Sequence, residues 1–258
     1  MKTKGDAEGV SAEALVAYLD EALEAGRFRD YCPNGLQVAG DRPITRLVAG
    51  VTASRALIEA AVARGADALL VHHGYFWKGE DPCLVGVKRE RLARLLGSGL
   101  SLIAYHLPLD AHPEWGNNAG LARAMGWAVE DVFGGEPALV WCGRPQAPLA
   151  PQALAGQLAT TLGREPVWIA GGEHDVTRIG WCTGAAQDFI EAAAAHGLDA
   201  FVSGEISERT VHLAREAGIH YFAAGHHATE RFGVQALAAH LGERFGLTWD
   251  YVELDNPV

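Results

Sequence analysis

Residues 47–73 have the sequence LVAGVTASRALIEAAVARGADALLVHH, and this stretch decides the fold class. Two short apolar runs, residues 47–51 and 68–71, have the length and composition of buried strands. Between them lies a segment with helical spacing of its apolar residues, which begins at Ser54 and ends at Gly65. Strand, helix and strand in this order are typical of a parallel sheet covered by helices. The stretch therefore predicts an α/β fold.

The second of these strands leads directly into His72 and His73. In open parallel sheets, ligands bind beyond the carboxyl ends of the strands, so this position suits a functional pair. Imidazole is a common ligand of divalent metals. The pair alone is also consistent with a surface turn. Adjacent side chains of an extended segment point in opposite directions, so only one of the two would normally serve a site. At the end of a strand, however, adjacent residues can serve two neighbouring metals.

The same pattern appears again later in the chain. Residues 58–61 and 65–68 recur at a constant offset as residues 190–193 and 197–200. We therefore predict two packed, pseudo-repeated α/β lobes with mixed or parallel sheets and a metal site in the cleft between them. The first lobe is expected to span residues 1–130 and to be joined by the C-terminal helix and strand, 228–258. The second is expected to span residues 131–227.

A histidine-rich string, GHHATERFG, occupies residues 225–233 and precedes a long helical segment. If the helix begins at Ala228, His226 lies just before it and Glu230 lies in its first turn. Side chains four residues apart near the start of a helix can point at one spot. Together with Asp110, which follows a third apolar strand, His226 and Glu230 extend the set of candidate metal ligands.

Composition limits the classes of function. The chain has 258 residues, 49% of them hydrophobic, and a net charge of −11 at pH 7. The negative charge argues against general affinity for nucleic acid or anionic membranes. No apolar run approaches the ~20 residues that span a bilayer, and the polar first ten residues lack a secretory signal. Four scattered cysteines favour a reduced, cytoplasmic protein without a thiolate metal site.

Six strings together resemble the Nif-three-like, or YbgI-like, family with a dinuclear metal centre, whose members are often called GTP cyclohydrolase 1 type 2 homologues. They follow in order NGLQV at 34–38, VHHGYFWK at 71–78, YHLPLDAH at 105–112, NN at 117–118, SGE at 203–205 and GHHATERFG at 225–233. The resemblance covers nearly the whole chain. It implies a homo-oligomer, expected to be a hexameric ring, and a small-molecule substrate, expected to be a nucleotide.

Carried over position by position, the resemblance implies one set of metal ligands: His72, His73, Asp110, His226 and Glu230. Five ligands cannot close the shells of two ions, so water or substrate positions remain open, as in catalytic centres. We expect two divalent ions (Fe, Zn, Mn or Ni), with Glu230 bridging them. Two ions ~3.5–4 Å apart can lower the pKa of a shared water and stabilise the attacking and leaving oxygens.

A second group of polar residues lies within the same strings: His106, His112, Glu205 and His227. They are candidates for orienting ligands or for general acid or base catalysis, with His106, Glu205 and His227 the catalytic candidates. The alternative is that they only shape loops. Phe76 and Trp77 are interpreted as core residues or as a wall for a flat ring. Asn117 and Asn118 are interpreted as a helix cap.

Three functions remain open at this level. The first is a dinuclear metal-dependent hydrolase that opens the guanine ring of GTP at C8 with a metal-activated water. The second is a metal-dependent phosphatase or another hydrolase of unknown substrate, because the chain lacks a Walker-type phosphate loop and offers few cations near these strings. The third is a non-enzymatic protein that binds metal for delivery or regulation.

Overall fold

The computed structural model describes residues 9–258. Residues 1–8, which contributed to the argument against a secretory signal, lie outside the described residues. The chain divides into two compact units. Unit 1 contains the described residues up to Leu109 together with Gly233–Asp255, and unit 2 contains Asp110–Phe232 and Asn256–Val258.

Unit 1 is built on a five-stranded sheet, and three of its α-helices precede β4 in the chain. The strands are β1 (Gly35–Val38), β2 (Arg46–Thr52), β3 (Ala68–His73), β4 (Ser101–Ala104) and β11 (Thr248–Tyr251), and the helices are α1 (Ala12–Ala22), α2 (Arg55–Ala63) and α3 (Gly86–Ser98). The strand order is β1-β4-β3-β2-β11, with β1 antiparallel and the other pairs parallel.

The first strand–helix–strand unit forms as the sequence predicts. The Ser54 hydroxyl accepts a hydrogen bond from the Leu57 N–H and so caps α2. The apolar parts of the central strands β2 and β3, residues 47–51 and 68–71, are buried, as expected for strands covered on both faces. Val48 and Leu69 have no exposed surface and pack with Leu57 in one hydrophobic core. This packing fixes β3, and with it the position of the histidines at its end.

Unit 2 is built on a six-stranded sheet. Its strands are β5 (Ala128–Phe133), β6 (Val140–Arg144), β7 (Val167–Ile169), β8 (Ile179–Cys182), β9 (Ala200–Ser203) and β10 (His220–Ala223), and its helices are α5 (Asn117–Met125), α6 (Pro151–Leu162), α7 (Ile190–Ala195) and α8 (Glu208–Ala217). The strand order is β5-β6-β8-β9-β10-β7, in which only β8, β9 and β10 are mutually parallel. Two helices, α4 (Leu107–Ala111) and α9 (His226–Phe245), are each divided between the units.

The two sheets share one pattern. In unit 1, β2, α2, β3, α3 and β4 follow one another, and the three strands are neighbours and parallel. Unit 2 has the same alternation of strands and helices, in the order β8, α7, β9, α8 and β10, and its three strands are also neighbours and parallel. The predicted α/β fold with mixed sheets is confirmed, and the recurring sequence corresponds to this shared pattern.

Two boundaries differ from the sequence-based expectation. Residues 110–130, expected in the first lobe, belong to unit 2, because β5 pairs with β6 and so continues the second sheet. Helix α9 begins at His226, two residues before Ala228, so His226 and Glu230 both lie within the helix. Residues 228–232 and 256–258, which were also expected in the first lobe, belong to unit 2 as well. Among the described residues, no helix is both long and apolar enough to cross a membrane.

The cysteines are not paired with one another. Cys32, Cys142 and Cys182 are buried, whereas Cys83 is exposed, and all four are free thiols. Burial, reinforced by the charge of Asp30, raises the pKa of Cys32 to about 12. Buried thiols of high pKa are poor nucleophiles and poor metal ligands at neutral pH.

Candidate metal centre

Three imidazoles converge in unit 1. His72 and His73 are the last two residues of β3, and their ring centroids are 4.6 Å apart. His106 follows β4, with its ring centroid 5.0 Å from that of His72 and 5.7 Å from that of His73. One ring nitrogen from each residue lies within 4.8 Å of the other two. Because β3 and β4 are adjacent parallel strands, their carboxyl ends bring these side chains together.

Hydrogen bonds to Nδ1 orient two of these rings. His72 Nδ1 lies 2.9 Å from the Tyr105 carbonyl oxygen, which can only accept, so Nδ1 is the donor of this hydrogen bond. His106 Nδ1 lies 2.7 Å from Asp30 Oδ1. A carboxylate that accepts from the far nitrogen of a histidine orients the ring and raises its basicity as a ligand.

Asp30, which sequence reasoning did not single out, holds the ring of His106. Its carboxylate accepts hydrogen bonds from the Asn34 amide and from the Leu107 N–H as well as bonding His106. Burial raises the pKa of Asp30, but the hydrogen bond and charge of His106 and the other hydrogen bonds outweigh it and lower the pKa overall. Asp30 is therefore ionised at neutral pH. Its turn-rich surroundings in the sequence gave no sign of this role.

In unit 2, one imidazole is held between two carboxylates. His226 Nε2 lies 3.0 Å from Glu230 Oε2, one helical turn along α9, and His226 Nδ1 lies 2.7 Å from Glu205 Oε1. Burial lowers the pKa of His226, but the hydrogen bonds and charges of Glu230 and Glu205 outweigh it and raise the pKa to about 9. A metal that binds Nε2 must displace the proton held there.

Glycines follow the strands that lie beside this pair. A Cβ atom on Gly184, after β8, would lie 2.0 Å from Glu230 Oε1 and 3.2 Å from His226 Nε2. A Cβ atom on Gly204, after β9, would lie 2.6 Å from His226 Cα. The close approach of His226 and Glu230 to both loops therefore requires glycine at both positions.

Asp110 is oriented by residues that we interpreted as a helix cap. The Asn117 amide donates to Asp110 Oδ1 at 2.8 Å, and the Thr183 hydroxyl donates to the same oxygen at 3.3 Å. Asn118 is fully buried and donates to the carbonyls of Asp110 and Leu139. The cap interpretation is wrong, since the residue that precedes α5 is Gly116 and both asparagine side chains bond elsewhere.

The remaining candidate histidines have different surroundings. His112 Nδ1 accepts from the N–H groups of Glu114 and Trp115, and its ring stacks on Trp115 with centroids 4.4 Å apart, so it shapes a loop. The main-chain N–H of His227 donates to the Val258 oxygen. His220, interpreted from sequence as structural, is fully buried and bonds the backbone through both ring nitrogens.

The donor chemistry of these residues fits a divalent metal of borderline softness. Unit 1 offers the imidazoles of His72, His73 and His106, and unit 2 offers one imidazole and two buried carboxylates, Asp110 and Glu230. Nitrogen and carboxylate oxygen without thiolate is a donor set that Zn, Fe, Mn and Ni accept. Five of these six residues are those carried over from the resemblance, and His106 is the addition.

The model of the family described as Duf34/NIF3 (NGG1p interacting factor 3) matches residues 10–256. The chain belongs to the NIF3 family. A NIF3 relative from Allochromatium vinosum, named GTP cyclohydrolase 1 type 2 homolog, is 55% identical over 243 residues, which are 94% of this chain and 96% of the relative. A relative of the same name from Pseudomonas aeruginosa is 52% identical over 250 residues, 96% of this chain and 99% of its own.

Among solved structures, the protein ybgI, described as of unknown function, superposes with a TM-score of 0.94 at 47% sequence identity. The match covers 96% of this chain and 100% of ybgI. The predicted family is thus confirmed, and the similarity to ybgI confirms the fold of this NIF3 chain.

Proposed function

We propose that the chain is a metal-dependent hydrolase whose dinuclear centre is held by His72, His73, Asp110, His226 and Glu230. The observation that carries this proposal is the imidazole trio of His72, His73 and His106, whose nitrogens lie within 4.8 Å of one another. The carboxylate behind His106 adds support, because such carboxylate–histidine pairs are typical of metal ligands. We therefore add His106 to the proposed ligands, moving it from the second group.

The divalent ions, when bound, would lower the pKa of a coordinated water and polarise the bond that is cleaved. The chain's own residues hold the ligands in place. Asp30 fixes the ring of His106, and Glu205 fixes that of His226. Because Glu205 is engaged with His226, we assign it an orienting role rather than that of general acid or base. His227 stays a candidate for proton transfer, and Glu230 stays the proposed bridging ligand.

The proposed substrate is GTP, with hydrolysis at C8 of the guanine ring. Its support is the name of the relatives from Allochromatium vinosum and Pseudomonas aeruginosa, GTP cyclohydrolase 1 type 2 homolog. We also propose the homohexameric ring that the resemblance implies. Light scattering should then give the mass of six chains of 27.5 kDa, and a monomeric mass would contradict this assembly.

The first experiment measures metal per chain by elemental analysis after purification without chelator. We expect about two ions in the wild type, a loss in Glu230→Ala that exceeds the loss in His106→Ala, and no loss in His212→Ala. His212 is a suitable control because it forms the same kind of i,i+4 pair, with Glu208, on an exposed helix surface. Equal metal content in all variants would contradict the ligand assignment.

The second experiment incubates GTP with the metal-loaded chain and follows guanine absorbance and inorganic phosphate separately. Loss of the guanine spectrum without phosphate release supports the cyclohydrolase assignment. Phosphate release with an intact guanine ring would instead identify a metal-dependent phosphatase. If metal exchanges readily and neither signal changes, the non-enzymatic metal-binding function becomes the better account.

A further inference from the structure

Phe76 has a backbone conformation that its side chain disfavours. Its φ is +63°, in the left-handed region that a bulky residue rarely adopts. Such a conformation persists only where the surroundings impose it, and it is concentrated at functional sites. The residue is 37% exposed, so part of its surface is open to solvent.

Hydrogen bonds on both sides impose the conformation. Before it, the Gln37 side chain accepts from the Tyr75 N–H at 2.7 Å and donates to the Tyr75 carbonyl at 3.1 Å. After it, the Lys78 N–H donates to the Tyr31 carbonyl at 2.6 Å. With Tyr75 buried and Lys78 tied to the neighbouring segment, the backbone of Phe76 is held from both sides.

The same segment adjoins the imidazole trio. Phe76 lies three residues after His73, and the next residue, Trp77, has its ring centroid 6.0 Å from His73 and 5.0 Å from His106. Tyr31, whose carbonyl accepts from Lys78, is 62% exposed, and its ring lies 6.5 Å from that of His106. Phe76 and Tyr31 thus lie on two segments that are hydrogen-bonded to each other, and each segment places an aromatic ring beside His106.

We propose that Phe76 is the stacking platform for the planar heteroaromatic base of the substrate, with Tyr31 as a second aromatic contact. An aromatic face binds a flat base by stacking, whatever the hydrogen-bonding edge of that base. The ammonium group of Lys88 makes a cation–π contact with the Phe76 ring, with Nζ 5.6 Å from the ring centroid. This inference rests on the proposed function, because it takes GTP as the ligand.

The test compares binding of GTP and of inorganic triphosphate, which lacks the base, to the metal-loaded chain by calorimetry. Phe76→Gly should weaken GTP binding roughly 5- to 100-fold, the range of one lost stacking contact. It should leave triphosphate binding unchanged. Because glycine accepts a positive φ, the relieved backbone strain should offset part of the burial lost with the ring, so this variant should unfold within ~4 °C of the wild-type temperature.

Glu24→Gly is the matched control. Glu24 is the other non-glycine residue with a positive φ in the described chain, at +49°, and its side chain is mostly exposed. The substitution removes the same kind of strain without removing a ring, so GTP binding should not change. Phe76→Tyr, which keeps the aromatic face, should also bind GTP normally. Phe76→Leu, which keeps apolar bulk but no aromatic face, should bind GTP weakly.

The outcomes separate the two proposals. GTP binding that is equal in wild type, Phe76→Gly and Phe76→Leu overturns the stacking role and leaves the proposed function intact. Loss of GTP and triphosphate binding together, with a lower unfolding temperature, also overturns it, since that result marks a structural residue. A wild-type chain that binds metal but no GTP overturns both the stacking role and the proposed substrate.

Discussion

Asp67 in unit 1 and Asp199 in unit 2 each accept the same set of three hydrogen bonds. Asp67 Oδ2 accepts from the N–H and hydroxyl of Thr45 and from the N–H of Arg46. Asp199 Oδ2 accepts from the N–H and hydroxyl of Thr177 and from the N–H of Arg178. In each case the carboxylate precedes the second parallel strand and secures the segment that leads into the first.

These two carboxylates predict a matched pH dependence. Burial raises the pKa of each, but the hydrogen bonds outweigh it and leave each pKa below its usual value. Their stabilisation is therefore present above the unfolded pKa of ~3.9 and is lost as the pH falls through the lower folded value. We expect Asp67→Asn and Asp199→Asn each to lower the free energy of unfolding by about 2 kcal/mol at pH 7.

The measurement is urea unfolding at pH 7 and at pH 3. The difference from wild type should shrink at the lower pH, where the unfolded state takes up protons that the native carboxylates resist. Asp188→Asn is the control, because Asp188 pairs with Arg209 on the surface and such pairs contribute only ~0–1 kcal/mol. If the loss of unfolding free energy in the two variants were the same at pH 7 and pH 3, the negative charge of Asp67 and Asp199 would not be what stabilises the fold.

Gly184 is predicted to be essential for metal binding. In Gly184→Ala, the new methyl group would occupy the space of Glu230 Oε1, so the carboxylate must move away from His226. We expect at least tenfold weaker metal binding, measured by competition with a chelator. Gly163→Ala separates this effect from backbone strain, since Gly163 has a similar φ (+74° against +71°) and no atoms near its would-be Cβ. Both variants should lose ~1–2 kcal/mol of stability, but only Gly184→Ala should lose metal affinity.

The carboxylates behind the histidines should tune affinity without changing the number of ions bound. Asp30→Asn removes the charge behind His106, and Glu205→Gln removes the charge behind His226. Each should weaken metal binding by roughly 10- to 100-fold, the usual effect of losing such a partner. Glu208→Gln alters an exposed histidine–glutamate pair and should have no effect on metal. Wild-type affinity in both Asp30→Asn and Glu205→Gln would contradict the assignment of their histidines as ligands.

Asn117 and Asn118 should behave differently although they are neighbours. Asn118 bonds three backbone groups, so Asn118→Ala should leave buried polar groups unsatisfied and cost about 3 kcal/mol of stability. Asn117→Ala removes the amide that orients Asp110 and should mainly weaken metal binding. Thermal unfolding and chelator competition on both variants would check this. A larger loss of metal affinity in Asn118→Ala at equal stability would reverse the two roles.

Local patterns predicted the parts of this fold that local interactions determine. Ser54 as a cap, the apolar run before His72 and the recurrence that includes Asp67 and Asp199 are all visible in the sequence. The roles of Asp30 and Asn117 are not, because each depends on a hydrogen bond to a residue that the fold, not the sequence, brings near. An asparagine before a helical run predicts a cap, and only the buried carboxylate of Asp110 makes Asn117 an orienting residue instead.

The exposed thiol of Cys83 is a site for selective chemical labelling of this chain. Because the other three cysteines are buried, a maleimide dye at limiting concentration should modify Cys83 alone in the native protein. Cys83 lies on the same exposed loop that continues from Phe76 to α3. A fluorophore attached there would report ligand arrival at the aromatic side chains directly, in a single native chain, with no substitution at any metal-binding position.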